Sequence, residues 1–276
     1  MNPIRNILEQ FGIEAAALPH GNGHINNTFL VDSNPRVILQ RINTGIFKNP
    51  EQVMENIMAV TAYLRAKIAE MGGDPARETM TFLTTKEGLP YYKTADGDFW
   101  RACYFVEETV CLEVAQTPED FAEVAHAFGR FQRMLADFPA DGLHETIERF
   151  HDTPNRFAQL EEAIAADRVG RVASVEAEIA LCRKFQKYAS LIVEGIADGT
   201  VPLRVTHNDT KLNNVLLDAT TRKGICVIDL DTVMPGSLLY DFGDAMRTGA
   251  STGAEDEVDL DKVQFNLEKF EAFTAA

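Results

Sequence analysis

The chain has 276 residues, 45% of them hydrophobic and 25% charged, and a formal net charge of −16. Its length allows one large domain or two lobes, and the negative charge argues against a nucleic-acid partner, which would need a basic face. No apolar run approaches the roughly 20 residues of a membrane span, and the first residues lack a signal-peptide pattern. The four cysteines are scattered without a CxxC pair, as is typical of reduced thiols. We therefore expect a cytoplasmic protein that binds neither nucleic acid nor membrane.

In the first part of the chain, short apolar segments between turn residues predict a β-rich region with one long helix. Asn49 and Pro50 form a helix start, because asparagine suits the N-cap and proline suits the first turn. Apolar residues then recur at helical spacing until Gly72 and Gly73 end the helix. We expect a short opening helix over 4–11 and strands over 28–31, 37–42, 80–84, 91–92 and 99–106. This order of elements is that of the small lobe of a kinase.

Helices dominate from residue 117 onward, apart from the strands around one polar motif. Two series of apolar residues recur at helical spacing: Phe121, Val124, Phe128, Phe131 and Leu135, then Ile179, Cys182, Phe185, Tyr188, Ala189, Ile192 and Ile196. Both series predict helix faces that are buried in the core. The predicted fold class is therefore α+β, with a small lobe over 1–107, built from an antiparallel sheet and one helix, and a mainly helical lobe over 108–276.

One polar motif is framed by two short strands. His207, Asp209 and Asn214 occupy an H-x-D-x-x-x-x-N pattern that leads directly into an apolar segment. A polar turn ending in glycine connects this segment to a second one, which ends at Asp229. The two predicted strands cover 215–217 and 225–228. Because they form a hairpin, Asp229 is expected to return beside Asn214.

The motif matches the needs of phosphoryl transfer, in which protein groups orient the attacking hydroxyl and hold Mg²⁺ on the phosphates of ATP. We predict that Asp209 is the base and that Asn214 and Asp229 bind the metal, with Asp231 as a reserve ligand. Lys211 follows the base by two residues, where its charge can lie against the transferred phosphoryl group. The alternative is a polar turn between buried strands, with Asp209 as a cap.

A second kinase-like string, Asp241-Phe242-Gly243, occurs downstream. It follows a segment that contains Pro235 and Gly236 rather than a β-branched strand, so we do not assign the metal to it. Asp241 is instead expected to cap a helix or to brace the motif loop through backbone N–H groups.

A glycine-containing loop precedes the predicted strand over 28–31 and is expected to cover the ATP phosphates. Gly21 and Gly23 allow backbone N–H groups to approach phosphate oxygens closely. His24 and Asn27 lie at the tip of this loop, where either the nucleotide or the acceptor is their possible ligand. We assign them to the acceptor, together with Asn208 beside the base. An ordinary turn, with His24 facing solvent, is an equally good interpretation of the loop.

The strand over 37–42 has no lysine at the position where kinases grip ATP. Arg41 is our candidate for that role, paired with Glu55 or, less favourably, Glu51 of the following helix. Gln40 lies on the opposite face of the strand and is the alternative inward residue. Three hinge residues are expected to hold adenine through backbone groups: Phe105, Val106 and Glu107.

The motif from His207 to Asn214 and the following segment that ends in Ile228-Asp229 resemble the aminoglycoside phosphotransferase/choline kinase superfamily. The hallmark of that superfamily is the H-x-D-x-x-x-x-N loop followed by a strand ending in Ile-Asp. Further segments are similar to its N-acetylhexosamine 1-kinase branch: Gly23–Phe29, Val37–Asn43, Thr206–Asn214 and Asp229–Gly236. The resemblance covers nearly the whole chain. It implies a bilobal protein-kinase-like fold and Mg²⁺-dependent phosphorylation by ATP of the anomeric hydroxyl of GlcNAc or GalNAc.

One departure from the family pattern and two alternatives to this interpretation stay open. Family members continue through further helices that wall the acceptor pocket, so the ending after the amphipathic segment 260–270 implies a partial large lobe. Another acceptor, such as an aminoglycoside, choline or homoserine, would use an acidic patch of the kind that 255–261 offers. A non-catalytic pseudokinase is favoured by the missing strand lysine and disfavoured by the complete set of Asp209, Asn214 and Asp229.

Overall fold

A computed structural model describes residues 3–21, 25–253 and 257–276. By internal contacts the chain divides into two units, Met1–Ile147 with Arg204–Ala276, and Glu148–Leu203. Gly23 and His24 of the glycine loop lie outside the described residues, as do positions 255 and 256 of the acidic segment. No helix within the described ranges combines the length and apolar character needed to cross a membrane.

The first unit opens with helix α1, Pro3–Gln10, and an antiparallel sheet of five strands. The strands are β1 Ala17–Pro19, β2 Asn27–Val31, β3 Val37–Ile42, β4 Tyr92–Lys93 and β5 Phe99–Tyr104, in the order β1-β2-β3-β5-β4. In the centre, β3 pairs with β5 from Val37 opposite Tyr104 to Ile42 opposite Phe99. Because side chains alternate along a strand, those of successive residues in β3 and β5 point to opposite faces of this sheet.

Each face of the sheet packs on a helix. Leu39, Trp100 and Ala102 belong to the apolar cluster that includes α1, whereas Ile42 and Cys103 belong to the cluster of helix α2, Pro50–Glu70. The predicted start of α2 is confirmed: Asn49 is its N-cap residue and Pro50 its first residue, although the Asn49 side chain makes no capping hydrogen bond. Residues 80–84 form an isolated bridge, Phe82 to Cys103, instead of the full strand that was expected.

The chain continues with strand β6, Thr109–Cys111, and helix α3, Pro118–Met134. Thr117 and Asp120 form a reciprocal capping box at the start of α3, which satisfies backbone N–H groups of its first turn. All members of the first predicted apolar series, from Phe121 to Leu135, are buried. The prediction that this series is core is therefore confirmed.

The second unit contains helices α4, Thr153–Ala166, α5, Glu176–Phe185, and α6, Leu191–Asp198. The second apolar series is split here, because the 3-10 turn Gln186–Tyr188 separates α5 from α6. Ile179 is buried, but Phe185 and Tyr188 are each 52% exposed. The prediction of one continuous core face over this series is wrong.

The returning chain of the first unit carries the polar motif. Its elements are β7 Arg204–Thr206, β8 Val215–Asp218, β9 Gly224–Val227, β10 Met234–Gly236, α7 Leu238–Gly249 and α8 Leu267–Ala275. Strands β6, β8 and β9 form one antiparallel sheet, and β7 pairs with β10 in another. The predicted hairpin around the motif is thus confirmed, as is the α+β class. The boundary after residue 107 stays a prediction.

Candidate active site

The register of the β8–β9 hairpin brings the two ends of the motif together. Val215 lies opposite Val227, and the N–H of Ile228 donates to the carbonyl of Asn214 at 2.9 Å. Since Asp229 follows directly, its side chain starts from the same end of the sheet as that of Asn214. The local sequence therefore suffices to juxtapose these two polar residues.

Asp209 is held by Asn214 and Lys211. The amide nitrogen Nδ2 of Asn214 donates to the backbone carbonyl of Asp209 at 2.8 Å and to its Oδ2 at 3.1 Å. Nζ of Lys211 lies 3.5 Å from the other carboxylate oxygen of Asp209. Asp209 is only half-buried, so its carboxylate is oriented by neighbours yet remains accessible to a substrate.

Asp229 is a partly exposed carboxylate in a left-handed backbone conformation, with φ of 58°. Partial burial of its carboxyl group and, to a smaller extent, the nearby negative charge of Asp231 raise the pKa of Asp229 to about 6. The positive charge of Arg101 acts in the opposite direction and lowers this pKa. No group in the described part of the chain donates a hydrogen bond to this carboxylate. A cation is therefore the partner that would favour its charged form.

The pair of Asn214 and Asp229 fits a magnesium ion. Nδ2 of Asn214 is used by Asp209, and within residues 25–253 no donor reaches its Oδ1, which leaves that oxygen for a cation. No cluster of three or more His, Cys, Asp or Glu that could form an all-protein metal cage occurs among the residues described. Mg²⁺ is commonly bound by one or two side-chain oxygens together with substrate phosphates, so two ligands suffice.

His207 is a buried support for the loop. Its Nδ1 accepts from the N–H of Asp209 at 3.3 Å, and its Nε2 lies 2.9 Å from the carbonyl of Ile228. This pattern fits a ring that carries its proton on Nε2. Phe128 and Phe131 of α3 pack edge-on against the ring, with centroids 5.3 Å and 6.0 Å away. The histidine thus fixes the base relative to the strand that precedes Asp229.

Two carboxylates of α7 accept hydrogen bonds from the backbone of the loop that carries Asp209. Asp241 accepts from the N–H of His207 at 3.1 Å and from that of Asn208 at 2.7 Å, and Asp244 accepts from the N–H of Thr210 at 2.8 Å. Burial raises the pKa of Asp241 above its ordinary value. Of the two roles expected for Asp241, the brace is the one observed, since Ser237 is the N-cap of α7.

Asn208 does not have the side-chain environment of a substrate-binding residue. It is buried, and its Nδ2 donates to the carbonyl of Thr232 at 2.8 Å while its Oδ1 accepts from the hydroxyl of Thr206 at 3.0 Å. The prediction that it contacts the acceptor is corrected accordingly: its amide is consumed in joining the motif loop to the segment after Asp229.

Asp231 is likewise engaged by protein. Arg101 of β5 donates from Nη1 to its Oδ1, and Asn26 donates from Nδ2 to its Oδ2 at 2.7 Å. Both members of the ion pair are buried, and Arg101 also donates to Gln40 at 3.0 Å. A role as reserve metal ligand is not supported, because both carboxylate oxygens already have donors.

The expected pair of Arg41 and Glu55 is not formed. Arg41 lies 3.5 Å from Asp98, and Glu55 is bonded to His144 at 2.7 Å. The reason is strand alternation: Arg41 shares the α1 face of β3, whereas its neighbour Gln40 shares the face of α2. The alternative that Gln40 points inward is the one that the structure supports.

The remaining predicted residues lie around the sheet. Gly21 has a positive φ of 74°, and Asn27 is an exposed residue at the start of β2. In the hinge, Val106 is buried, and the side chain of Glu107 bonds to Arg36 at 2.8 Å. Within the described ranges, no hydrogen bond uses the carbonyl of Phe105 or the N–H of Glu107. These backbone groups are available to a ligand.

Three residues of this region escaped sequence reasoning: Arg101, Asn26 and Asn56. Asn56 of α2 donates to the carbonyls of His144 at 2.8 Å and Val233 at 2.9 Å and so ties the helix to the segment after Asp229. The sequence contained a usable signal for two of them, Arg101 and Asn56. Arg101 is the charged residue in an otherwise apolar strand, and Asn56 falls on the apolar stripe of its helix.

A sequence profile of the phosphotransferase enzyme family (APH) matches residues 16–274. Among solved structures, a microcompartment-associated aminopropanol kinase is similar with a TM-score of 0.61 and 18% identity, over 99% of this chain and 78% of that one. An aminoglycoside phosphotransferase from Alicyclobacillus acidocaldarius has a TM-score of 0.58 and 16% identity, over 100% and 77%. Wild-type aminoglycoside 2'-phosphotransferase-IIIa in its GDP complex has a TM-score of 0.58 and 16% identity, over 99% and 88%. These similarities confirm the predicted fold.

Proposed function

The chain belongs to the phosphotransferase enzyme family, and from that premise we propose that it transfers the γ-phosphoryl group of ATP to the anomeric hydroxyl of an N-acetylhexosamine. The observation that carries this proposal is the grouping of Asp209, Asn214 and Asp229 at one end of the β8–β9 hairpin. Phosphoryl transfer asks for this combination, a carboxylate that orients the attacking hydroxyl beside oxygen ligands for a divalent cation. The product would be the sugar 1-phosphate.

In this mechanism Asp209 orients the sugar hydroxyl and accepts its proton while the sugar oxygen attacks the γ-phosphorus in line. The bond between that phosphorus and the bridging oxygen breaks, and ADP leaves. An anomeric hydroxyl is more acidic than an ordinary alcohol, which lowers the demand on the base. The ammonium group of Lys211, 3.5 Å from the Asp209 carboxylate, is close enough to stabilise charge on the transferred group.

Asn214 and Asp229 would hold Mg²⁺ against the phosphates. A bound Mg²⁺ would supply positive charge that offsets the negative charge of the phosphates. The raised pKa of Asp229, about 6, supports this role, because a carboxylate without a protein donor gains most from a cation.

The nucleotide itself would lie between the hinge and the glycine loop. The carbonyl of Phe105 and the N–H of Glu107 offer an acceptor and a donor two residues apart, which suits the edge of a purine base. Gly21 contributes backbone at the phosphate end, where a side chain would hinder close approach. ADP, ATP and GDP complexes among similar structures support a purine nucleotide as the donor.

The choice of an N-acetylhexosamine rests on sequence similarity to one branch of the family, over segments that include the glycine loop and Asp229–Gly236. His24 and Asn27 are the residues assigned to the acceptor. A second candidate is a cationic amino alcohol, which the net charge of −16 and the similarity to an aminopropanol kinase favour.

A coupled assay of ADP release distinguishes these functions. Purified protein with Mg·ATP is given GlcNAc, GalNAc, choline, aminopropanol or kanamycin, and the product is located by phosphorus NMR. Turnover with an N-acetylhexosamine and an anomeric phosphate signal is the expected result. Turnover confined to an amine-bearing acceptor would replace the first proposal with the second. Nucleotide binding without turnover of any acceptor would instead indicate a pseudokinase.

A further inference from the structure

A buried arginine occupies the centre of the sheet on the face of α2. Arg101 is 2% exposed, and its register partner on β3 is Gln40, whose Oε1 accepts from its Nε at 3.0 Å. Its Nη1 is ion-paired with Asp231, a residue two positions beyond Asp229. A buried cation next to a proposed metal site is costly unless it is paired, so the pairing with Asp231 is structurally required.

The second oxygen of Asp231 connects to the glycine loop. Asn26, at the stem of that loop, donates from Nδ2 to Asp231 Oδ2 at 2.7 Å, and its Oδ1 accepts from the N–H of Asn43 at 3.0 Å. The backbone of Asp231 is fixed as well, because the hydroxyl of Thr146 donates to its carbonyl at 3.0 Å. One carboxylate thus joins the central strand, the loop stem and the turn that carries Asp229.

We propose that Arg101 and Asn26 are positioning residues that act through Asp231, holding the chain at Asn26, just before β2, and the Asp229 turn in one geometry for the bound nucleotide. In protein kinases a strand lysine and a helix glutamate hold the nucleotide site together. Here β3 has no such lysine, and Glu55 of α2 is bonded to His144 instead. The Arg101–Asp231–Asn26 connection links the sheet to the site in its place.

Direct contact with phosphate is not the role assigned to Arg101. Its guanidinium is enclosed by Asp231, Gln40 and the sulfur of Met54, 3.9 Å from Nη1. Its effect on the nucleotide is therefore transmitted by Asp231. The inference rests on the proposed function only in taking a Mg²⁺-bound adenine nucleotide as the ligand.

Calorimetric titration of Mg·ADP into the purified chain tests this without any acceptor. Asn26→Ala and Arg101→Lys should each weaken binding about tenfold, as expected for a lost hydrogen bond of about 1.4 kcal/mol. Because both act through Asp231, the double variant should lose little more than either single one, instead of about a hundredfold. Ser33→Ala, which removes an exposed side-chain hydrogen bond to the carbonyl of Pro35 beyond the other end of β2, is the matched control and should bind within about twofold of wild type.

In turnover, Asn26→Ala should raise the KM for ATP and leave the KM for the acceptor unchanged, a difference that general destabilisation of the fold would not produce.

Two outcomes of the titrations would overturn the inference. One is a loss of affinity in the double variant that equals the product of the two single losses, and the other is an Asn26→Ala protein that binds Mg·ADP as well as Ser33→Ala does. If Arg101→Lys does not fold, the comparison of Asn26→Ala with Ser33→Ala still decides. A wild-type chain that binds no Mg·ADP would overturn the proposed function and this inference together, whereas tight wild-type binding with an unaffected Asn26→Ala overturns this inference alone.

Discussion

Asn214 donates twice from one nitrogen to Asp209, to the backbone carbonyl at 2.8 Å and to the carboxylate at 3.1 Å. This contact ties the proposed base to a proposed metal ligand, so neither side chain can rotate without affecting the other. It also leaves Oδ1 of Asn214 without a hydrogen-bond donor among the residues that the structure describes. The proposed chemistry therefore depends on a pair of residues in one turn rather than on a single carboxylate.

Replacing the proposed base should abolish turnover while preserving nucleotide binding. Asp209→Asn keeps the size of the side chain but removes the proton acceptor, so kcat should fall by about 10²–10⁴ with the affinity for Mg·ADP little changed. Single-turnover kinetics and calorimetry measure the two quantities. Asp141→Asn, an exposed change in a 3-10 turn, is the control. A variant that kept most of its rate would show that Asp209 is not the base.

Removing the charge of Lys211 should affect the transition state more than the ground state. Its Nζ lies 3.5 Å from Asp209, beside the expected position of the transferred group. For Lys211→Ala we expect kcat to fall by about 10²–10³ and the KM for ATP to change by less than about fivefold. Lys223→Ala, in the turn at the far end of the β8–β9 hairpin, removes an equal charge and should leave both constants unchanged. A rise in KM alone would indicate ground-state binding.

Neutralising Asp229 should stabilise the protein when no metal is bound. Its pKa is raised to about 6, so between pH 4 and pH 6 the folded chain holds a proton that the unfolded chain has released. Wild-type stability therefore falls as pH rises through this window. Asp229→Asn lacks the penalty and should be more stable by about 3 kcal/mol at pH 7.5, with a smaller difference at pH 4.5.

Urea unfolding in EDTA at both pH values measures this difference. Asp96→Asn, in an exposed turn, controls for the loss of one carboxylate and should behave like wild type at each pH. Activity should nevertheless be lost in Asp229→Asn, which would separate stability from function. If the Asn variant were the less stable protein at pH 7.5, the carboxylate would have a stabilising partner and the argument for a cation would fail.

Two glycines of α7 should respond oppositely to alanine. A Cβ on Gly249 would overlap the ring of Phe121, whereas a Cβ on Gly243 meets nothing within 4 Å. Gly249→Ala should therefore destabilise the fold by about 1–3 kcal/mol through overpacking. Gly243→Ala should stabilise it by up to about 1 kcal/mol, because alanine is the better helix former. Thermal unfolding of both variants checks the signs.

Gly243→Ala also tests the second kinase-like string. Since Asp241 braces the loop through the backbone of His207 and Asn208, no close glycine backbone is needed at position 243. Full activity in this variant would support the view that Asp241-Phe242-Gly243 matches the kinase motif only by chance. A strong loss of activity with an intact fold would contradict it.

The sequence predicted the parts of the site that local structure determines. The hairpin follows from two apolar segments and a turn, and its register alone brings Asn214 next to the residue before Asp229. The start of α2 followed equally from Asn49 and Pro50. In these cases the interacting groups are close in sequence, or one strand pairing joins them.

Other features depend on packing between distant segments. Alternation along β3 separates Gln40 from Arg41, but which face meets α2 is decided by the docking of α1 on the other face. Asp229 and Asp231 look alike in the sequence, and donors from distant segments, Arg101 of β5 and Asn26, distinguish them. The break after Phe185 also escapes periodicity, because a short 3-10 turn barely disturbs helical spacing.

The left-handed backbone at Asp229, with φ of 58°, restricts which amino acids can replace it. Glycine, asparagine and aspartate enter this conformation at small cost, whereas other residues lose roughly 1–2 kcal/mol. Glutamate would keep the anion and strain the turn, and asparagine or glycine would keep the turn and lose the anion. Aspartate alone among the standard amino acids combines a carboxylate with a low cost in this backbone conformation, so we expect each substitution at position 229 to lose either the anion or part of the stability of the turn.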